Sequence, residues 1–236
     1  MILFPTSAIQ LAISISMLGF FSWMFYRHYK KSSSIYAKYF SFALGCIPAA
    51  LLVPLVASFL LYLQIPASSF YQWVNTIAWA IQYFGLSFFA MAGSLYYFPK
   101  VSPRIAAGVV LTAGIILTIV NVSTTTTIPT INEGGIVDWK MNSFSSLAYN
   151  MLNGAINLPL ILIFLKHSFS LKAYLRLVVL FSGFILVVIF APLPHQTTAF
   201  PSFVLYSILA NIGMALMFGG ILWQMVVQSR KVGERS

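Results

Sequence analysis

The sequence predicts an all-α membrane protein, a seven-transmembrane-helix bundle with its N-terminus outside and its C-terminus cytoplasmic. Three observations carry that prediction. The composition is 60% hydrophobic and only 7% charged, with a mean hydropathy of +0.91. Soluble domains carry about 25% charged residues, and a folded surface needs polar groups to stay in water, so lipid is the solvent that fits. Seven apolar stretches are each long enough for a hydrocarbon core of about 30 Å, which takes about 20 helical residues. Finally, the cations divide very unequally between the loops separating those stretches.

The spans run over about residues 7–26, 38–63, 70–98, 104–121, 143–165, 172–192 and 201–228. The first is expected to stay as a helix. Residues 1–6 hold no basic segment, and the apolar run is followed by Arg27, His28, Lys30 and Lys31 rather than by a small-residue cleavage site. Neither end shows a lipidation signal. Pro66, Pro99, Pro103, Pro129 and Pro201 fall between spans, where proline is cheap. Pro48, Pro54 and Pro159 fall inside spans and are expected to kink or locally open them.

Orientation follows from the cations. One set of loops carries Arg27, Lys30, Lys31 and Lys38, then Lys100 and Arg104, then Lys166, Lys172 and Arg176, and the tail carries Arg230, Lys231 and Arg235. The other set carries Lys140 alone of the 13 Lys and Arg. The positive-inside rule makes the first set cytoplasmic, which fits a plasma-membrane protein. The net charge of +10 sits at the ends of apolar runs, so it points to anionic headgroups rather than to nucleic acid. Trp23, Tyr26, Tyr96, Tyr97 and Trp139 fall near the predicted interfaces as an aromatic belt. The single cysteine, Cys46, has no intrachain partner for a disulfide.

One outer loop is long. Residues 122–142 hold two β-prone runs around the Gly-containing turn 132–135, a hairpin pattern that would form a lid over the outer mouth. A plain polar connector is the competing reading. The loop holds two of the three acidic residues, Glu133 and Asp138. Asn121-Val122-Ser123 fits a glycosylation sequon but lies at the membrane edge.

What is absent narrows the chemistry. No Asp or Glu lies in any predicted span, which argues against a proton pump or cation-coupled carrier. The plan resembles the retinal proteins in topology alone. Those need a buried lysine, and the seventh span has none, so the resemblance implies no retinal chemistry here. His28, His167 and His195 fall in loops, and no HExxH, CxxC, GxSxG or GK[ST] motif occurs. Ser182-Gly183 has no nearby His or acid. No metal, cofactor or enzymatic activity is expected.

Uncharged polarity remains. Gln72, Asn75, Trp79 and Gln82 share a face of the third span at i, i+3, i+7 and i+10. Asn150, Asn153 and Asn157 do so in the fifth at i, i+3 and i+7, beside Tyr149. Ala107, Leu111, Gly114, Thr118 and Asn121 share a face of the fourth, and Ser207, Asn211, Ala215 and Gly219 form a packing stripe in the seventh. Carboxamides in hydrocarbon are costly unless hydrogen-bonded, so these faces should point inward.

Two readings stay open: interhelical glue, or an outer-half pocket for a small neutral or apolar ligand. The candidate ligand-binding set is Gln72, Asn75, Trp79, Gln82, Tyr149, Asn150, Asn153, Asn157 and Asn211. The expected function is that of a receptor-like sensor signalling through a membrane or cytoplasmic protein partner. A facilitator for a small neutral solute and an accessory subunit of a membrane complex are the alternatives.

Overall fold

The computed structural model describes residues 5–65, 68–97, 100, 102–124, 129–132, 134–139, 144, 147–148, 151–152, 154–155, 171–190 and 199–233. Among these the chain forms six bounded helices and one small sheet. They are α1 (Thr6–Ser32), α2 (Ile35–Tyr62), α3 (Ser68–Tyr97), α4 (Pro103–Thr124), β1 (Thr130–Ile131), β2 (Val137–Asp138), α5 (Leu171–Phe190) and α6 (Phe200–Gly233). Within the predicted fifth span, Phe144, Leu147, Ala148, Met151, Leu152, Gly154 and Ala155 are helical, and the remainder lies outside the described residues.

Among the described residues, five helices are long and apolar enough to cross a membrane: α1, α2, the stretch Trp73–Leu95 of α3, most of α4, and α6 through Trp223. Helix α5 contributes a shorter apolar run, Val178–Val187. The chain is therefore an integral membrane protein built mainly of helices.

Helix ends differ from the hydropathy reading for a physical reason. Helix α1 continues past its apolar run through Arg27–Ser32 positions 27–32, because long cationic side chains reach water while the backbone keeps its hydrogen bonds. It stops at Ser33, whose φ of 53° is left-handed and whose N–H donates to the Tyr29 carbonyl at 2.8 Å. Ser34 then caps α2, its hydroxyl accepting from the Ala37 N–H at 3.4 Å. Two residues thus reverse the chain into an antiparallel helix pair.

Helix α2 runs without interruption across Pro48 and Pro54. Each proline removes its own N–H and so frees the carbonyl four residues earlier, that of Leu44 for Pro48 and of Ala50 for Pro54. Ser58, fully buried, donates to the Pro54 carbonyl at 2.7 Å. Pro103 and Pro201 lie in first helical turns rather than between helices, where a missing N–H is harmless.

Helix α1 packs on α2, α2 on α3, α3 on α4, α5 on α6, and α1 on α6. An aromatic ladder ties four of them together. The Phe25 and Phe40 rings stack at 5.2 Å, Phe40 meets Phe89 edge-on at 5.3 Å, and Phe89 lies parallel to Phe218 at 6.2 Å. Helices α1 and α6 run parallel, since Ser14 meets Asn211 and Phe21 meets Phe218 further along. Helices α5 and α6 are antiparallel: Gly183 lies against Gly213 and Met217, and Phe190 against Tyr206. At Gly183 the backbones nearly touch, because an added Cβ would sit 2.5 Å from the Met217 nitrogen.

These pairings sort the helix ends. The starts of α1, α3 and α6 share one end with the finishes of α2, α4 and α5, and the β-hairpin lies there. The described Lys and Arg positions fall at the other end, and Asp138, the one described acidic residue, falls at the hairpin end.

Candidate functional site

The hairpin end is where uncharged polar groups from several helices converge. Strands β1 and β2 pair antiparallel, Thr130 opposite Asp138 and Ile131 opposite Val137. Asn132 organises the turn. Its side-chain oxygen accepts from the N–H of Gly134 at 3.1 Å and of Ile136 at 2.9 Å, a local bond that asparagine makes readily. Gly135 adopts φ 69°, which glycine reaches without steric cost.

Three helices then hold this hairpin. From α1, the Thr6 hydroxyl donates to the Gly134 carbonyl at 2.7 Å, the Ser7 N–H donates to the Gly135 carbonyl at 3.3 Å, and the Ser7 hydroxyl accepts from the Val137 N–H at 2.9 Å. From α2, the Tyr62 hydroxyl donates to the Gly135 carbonyl. From α3, the Asn75 amide donates to the Trp139 carbonyl at 3.3 Å. Apolar contacts complete the attachment. Ile136 and Val137 are buried, Trp139 packs on the small cluster of Ala57, Tyr71 and Val74, and Gly134 lies close to Phe200 of α6. Trp139 is half-buried against α2 and α3, whereas Trp23 and Tyr26 are exposed.

The predicted ligand set divides three ways. Asn75 sits beneath the hairpin, bonded to it. Gln82, further along α3, is half-buried, while Trp79 is buried in the main core cluster. Gln72 has its backbone in α3 and its side chain outside the described residues, and Tyr149, Asn150, Asn153 and Asn157 lie outside them entirely.

Asn211 lies in a different place. Its side-chain oxygen accepts from the Ser14 hydroxyl at 2.9 Å, and the Gln10 amide donates to Ser14 in turn at 3.3 Å. Ser207, one turn earlier on α6, is buried, and its hydroxyl has no hydrogen-bond partner among the described residues. No hydrogen bond among the described residues joins Asn75 to Asn211. The stripe of Ser207, Asn211, Ala215 and Gly219 faces α1, with Gly219 close to the Phe21 ring, whereas Gly213 and Gly220 face α5. On α4, Gly114 lies directly under the Tyr83 ring and Asn121 is fully buried.

The first span carried polar residues that the sequence reading passed over: Thr6, Ser7, Gln10 and Ser14. Ser7, Gln10 and Ser14 recur at i, i+3 and i+7, the same spacing that singled out α3. Tyr62 had no periodic signal, because it acts through a single hydroxyl at a helix end. The groups that hold the hairpin are uncharged, and Asp138 of β2 is the charged residue described at this end. The arrangement can offer donors and acceptors to an uncharged molecule, and among the described residues it contains no group of three His, Cys, Asp or Glu.

No protein-family model matches the chain, and no curated protein matches it.

Proposed function

We propose that this is a seven-helix plasma-membrane protein, N-terminus outside and C-terminus cytoplasmic, acting as a receptor-like sensor. It binds a small neutral ligand in the uncharged outer half beneath the hairpin and passes the change to a protein partner at its basic end. The observation that carries the reading is the attachment of the hairpin. Three helices hold one hairpin through neutral hydrogen bonds, Thr6, Ser7 and Tyr62 near its turn and Asn75 at the end of its second strand, so a rearrangement at the cap is coupled to all three.

The helix ends support a seventh crossing. Trp139 is bonded at the hairpin end, while α5 begins at the opposite end. The gathering of cations at the end away from the hairpin supports the orientation.

The test is mass spectrometry of the full-length protein purified in detergent, after extraction of co-purified small molecules. A neutral species present in wild type and lost in Asn75→Ala and Asn153→Ala supports the sensor reading, with Val109→Ala on the exposed face of α4 as control. Equal content in all three variants overturns it. An accessory-subunit reading has one observation in its favour: Asn75 and Asn211 both already bond to the protein's own groups, as glue would. A membrane protein recovered in constant ratio with an otherwise empty chain favours that reading.

A further inference from the structure

The face of α1 turned away from α2 and α6 is exposed along its length, and it changes character from apolar to cationic. A shallow, largely open groove runs along it, lined by Ile9, Ala12, Ile13, Ser16, Met17 and Phe20. Ile9, Ser16, Phe20, Trp23 and Arg27 lie at i, i+7, i+11, i+14 and i+18, spacings that keep them on one side of a helix. Lys30 and Lys31 flank that line one turn on.

We propose that this face is a binding site for one anionic phospholipid, the headgroup phosphate on Arg27, Lys30 and Lys31 and an acyl chain in the lower groove. The site is independent of the sensor reading and rests only on the chain being a membrane protein.

Charge complementarity decides the occupant. Arg27, Lys30 and Lys31 are exposed, and no acidic residue among the described residues lies at their end of the bundle. Aromatic rings hold two of the three instead. The Arg27 guanidinium lies 4.8 Å from the Trp23 ring centroid, and the Lys30 ammonium lies 5.4 Å from that of Tyr26. Cation–π contact leaves the N–H donors of both groups free to meet phosphate oxygens, and a guanidinium meets phosphate bidentately. Depth agrees as well. At 1.5 Å per residue, Phe20 lies about 10 Å and Ser16 about 16 Å below Arg27, within the reach of an acyl chain in one leaflet. An uncharged lipid would fill the groove equally well and leave the three cations without a counter-charge.

The probes are dioleoyl phosphatidylglycerol and dioleoyl phosphatidylcholine, added to the full-length protein in detergent and read by native mass spectrometry. The expected result is retention of phosphatidylglycerol and not of phosphatidylcholine. Arg27→Gln with Lys31→Gln should lower that retention roughly thirtyfold, the effect of two charges near an anionic headgroup. Lys100→Gln with Arg104→Gln removes equal charge from the same end and should change retention by less than about twofold. Equal retention of the two lipids, or equal loss in the two double variants, overturns the site. For the groove, Phe20→Ala should weaken retention and Phe42→Ala, exposed on α2, should not; equal effects overturn that part. Dimerisation without lipid retention also overturns the proposal and assigns the face to a second copy of the chain. Thermal melting of each variant confirms that it folds, as expected for exposed positions.

Discussion

The Ser14 hydroxyl donates to the Asn211 side chain at 2.9 Å, joining α1 to α6 across 197 residues of sequence. It is a direct side-chain bond between two helices that pack parallel, in the half of the bundle nearest the hairpin. Helices in lipid gain little from apolar contact with one another, so packing and such bonds carry more of the association. Asn211→Ala should lower stability by about 0.5–1.5 kcal/mol, and a double-mutant cycle with Ser14→Ala should give a coupling near 0.6 kcal/mol. Thermal or denaturant unfolding in detergent measures both. A coupling of zero removes the bond from the stabilising set.

That bond marks the limit of what the sequence discloses. Apolar runs are local, so α1, α2, α3, α4 and α6 are all readable as long helices, and their ends shift by only a few residues, as at Ser32 and Gly233. The turn residues Asn132, Gly134 and Gly135 are local signals too, and β1 and β2 flank them. Which polar face meets which is not local. Asn75 and Asn211 look alike in sequence, each a lone asparagine in the first half of its helix, yet one bonds a loop carbonyl and the other a serine of the first helix. Ser14 looks ordinary in its own span, and only its partner gives it a role.

The hairpin should loosen when its attachment to α1 is cut. Val137 is buried, and its N–H has the Ser7 hydroxyl as acceptor. Ser7→Ala leaves that N–H without this acceptor, a cost of about 1–3 kcal/mol, and the cost falls on the hairpin rather than on the helices. Hydrogen exchange over residues 130–139 should quicken while exchange in the middle of α2 stays unchanged. Uniform quickening would mean the hairpin and bundle open as one unit.

Two glycines on the same protein should respond in opposite ways to alanine. A Cβ at Gly183 would fall 2.5 Å from the Met217 nitrogen and 2.7 Å from the Gly213 carbonyl oxygen. Backbone cannot yield as a side-chain tip can, so α5 and α6 must separate, and Gly183→Ala should cost about 1–3 kcal/mol or more. Gly19 on α1 has no atom within 4 Å of its would-be Cβ. Gly19→Ala should be neutral or gain up to about 1 kcal/mol from helix propensity. Melting temperatures of the two variants under one detergent condition make the comparison, and a similar loss in both would contradict the close crossing.

Orientation can be read from two exposed positions at opposite ends of the bundle. Ser33 ends α1 beside the cations, and Thr130 lies on β1 of the hairpin. Both side chains are exposed, and Ser33→Cys and Thr130→Cys keep the size of the side chain close to native. Cys46 must first be removed, and Cys46→Ala suits the purpose because its Cβ, which packs near Gly85, is retained. In intact cells a membrane-impermeant maleimide should label the Thr130→Cys variant and spare the Ser33→Cys variant until the membrane is opened. The opposite pattern would invert the protein and contradict the charge rule. Labelling of both from one side would require the two ends of α1 and α2 to lie on the same face of the membrane, which helices of 27 and 28 residues, each longer than the roughly 20 that a bilayer needs, make untenable for a spanning pair.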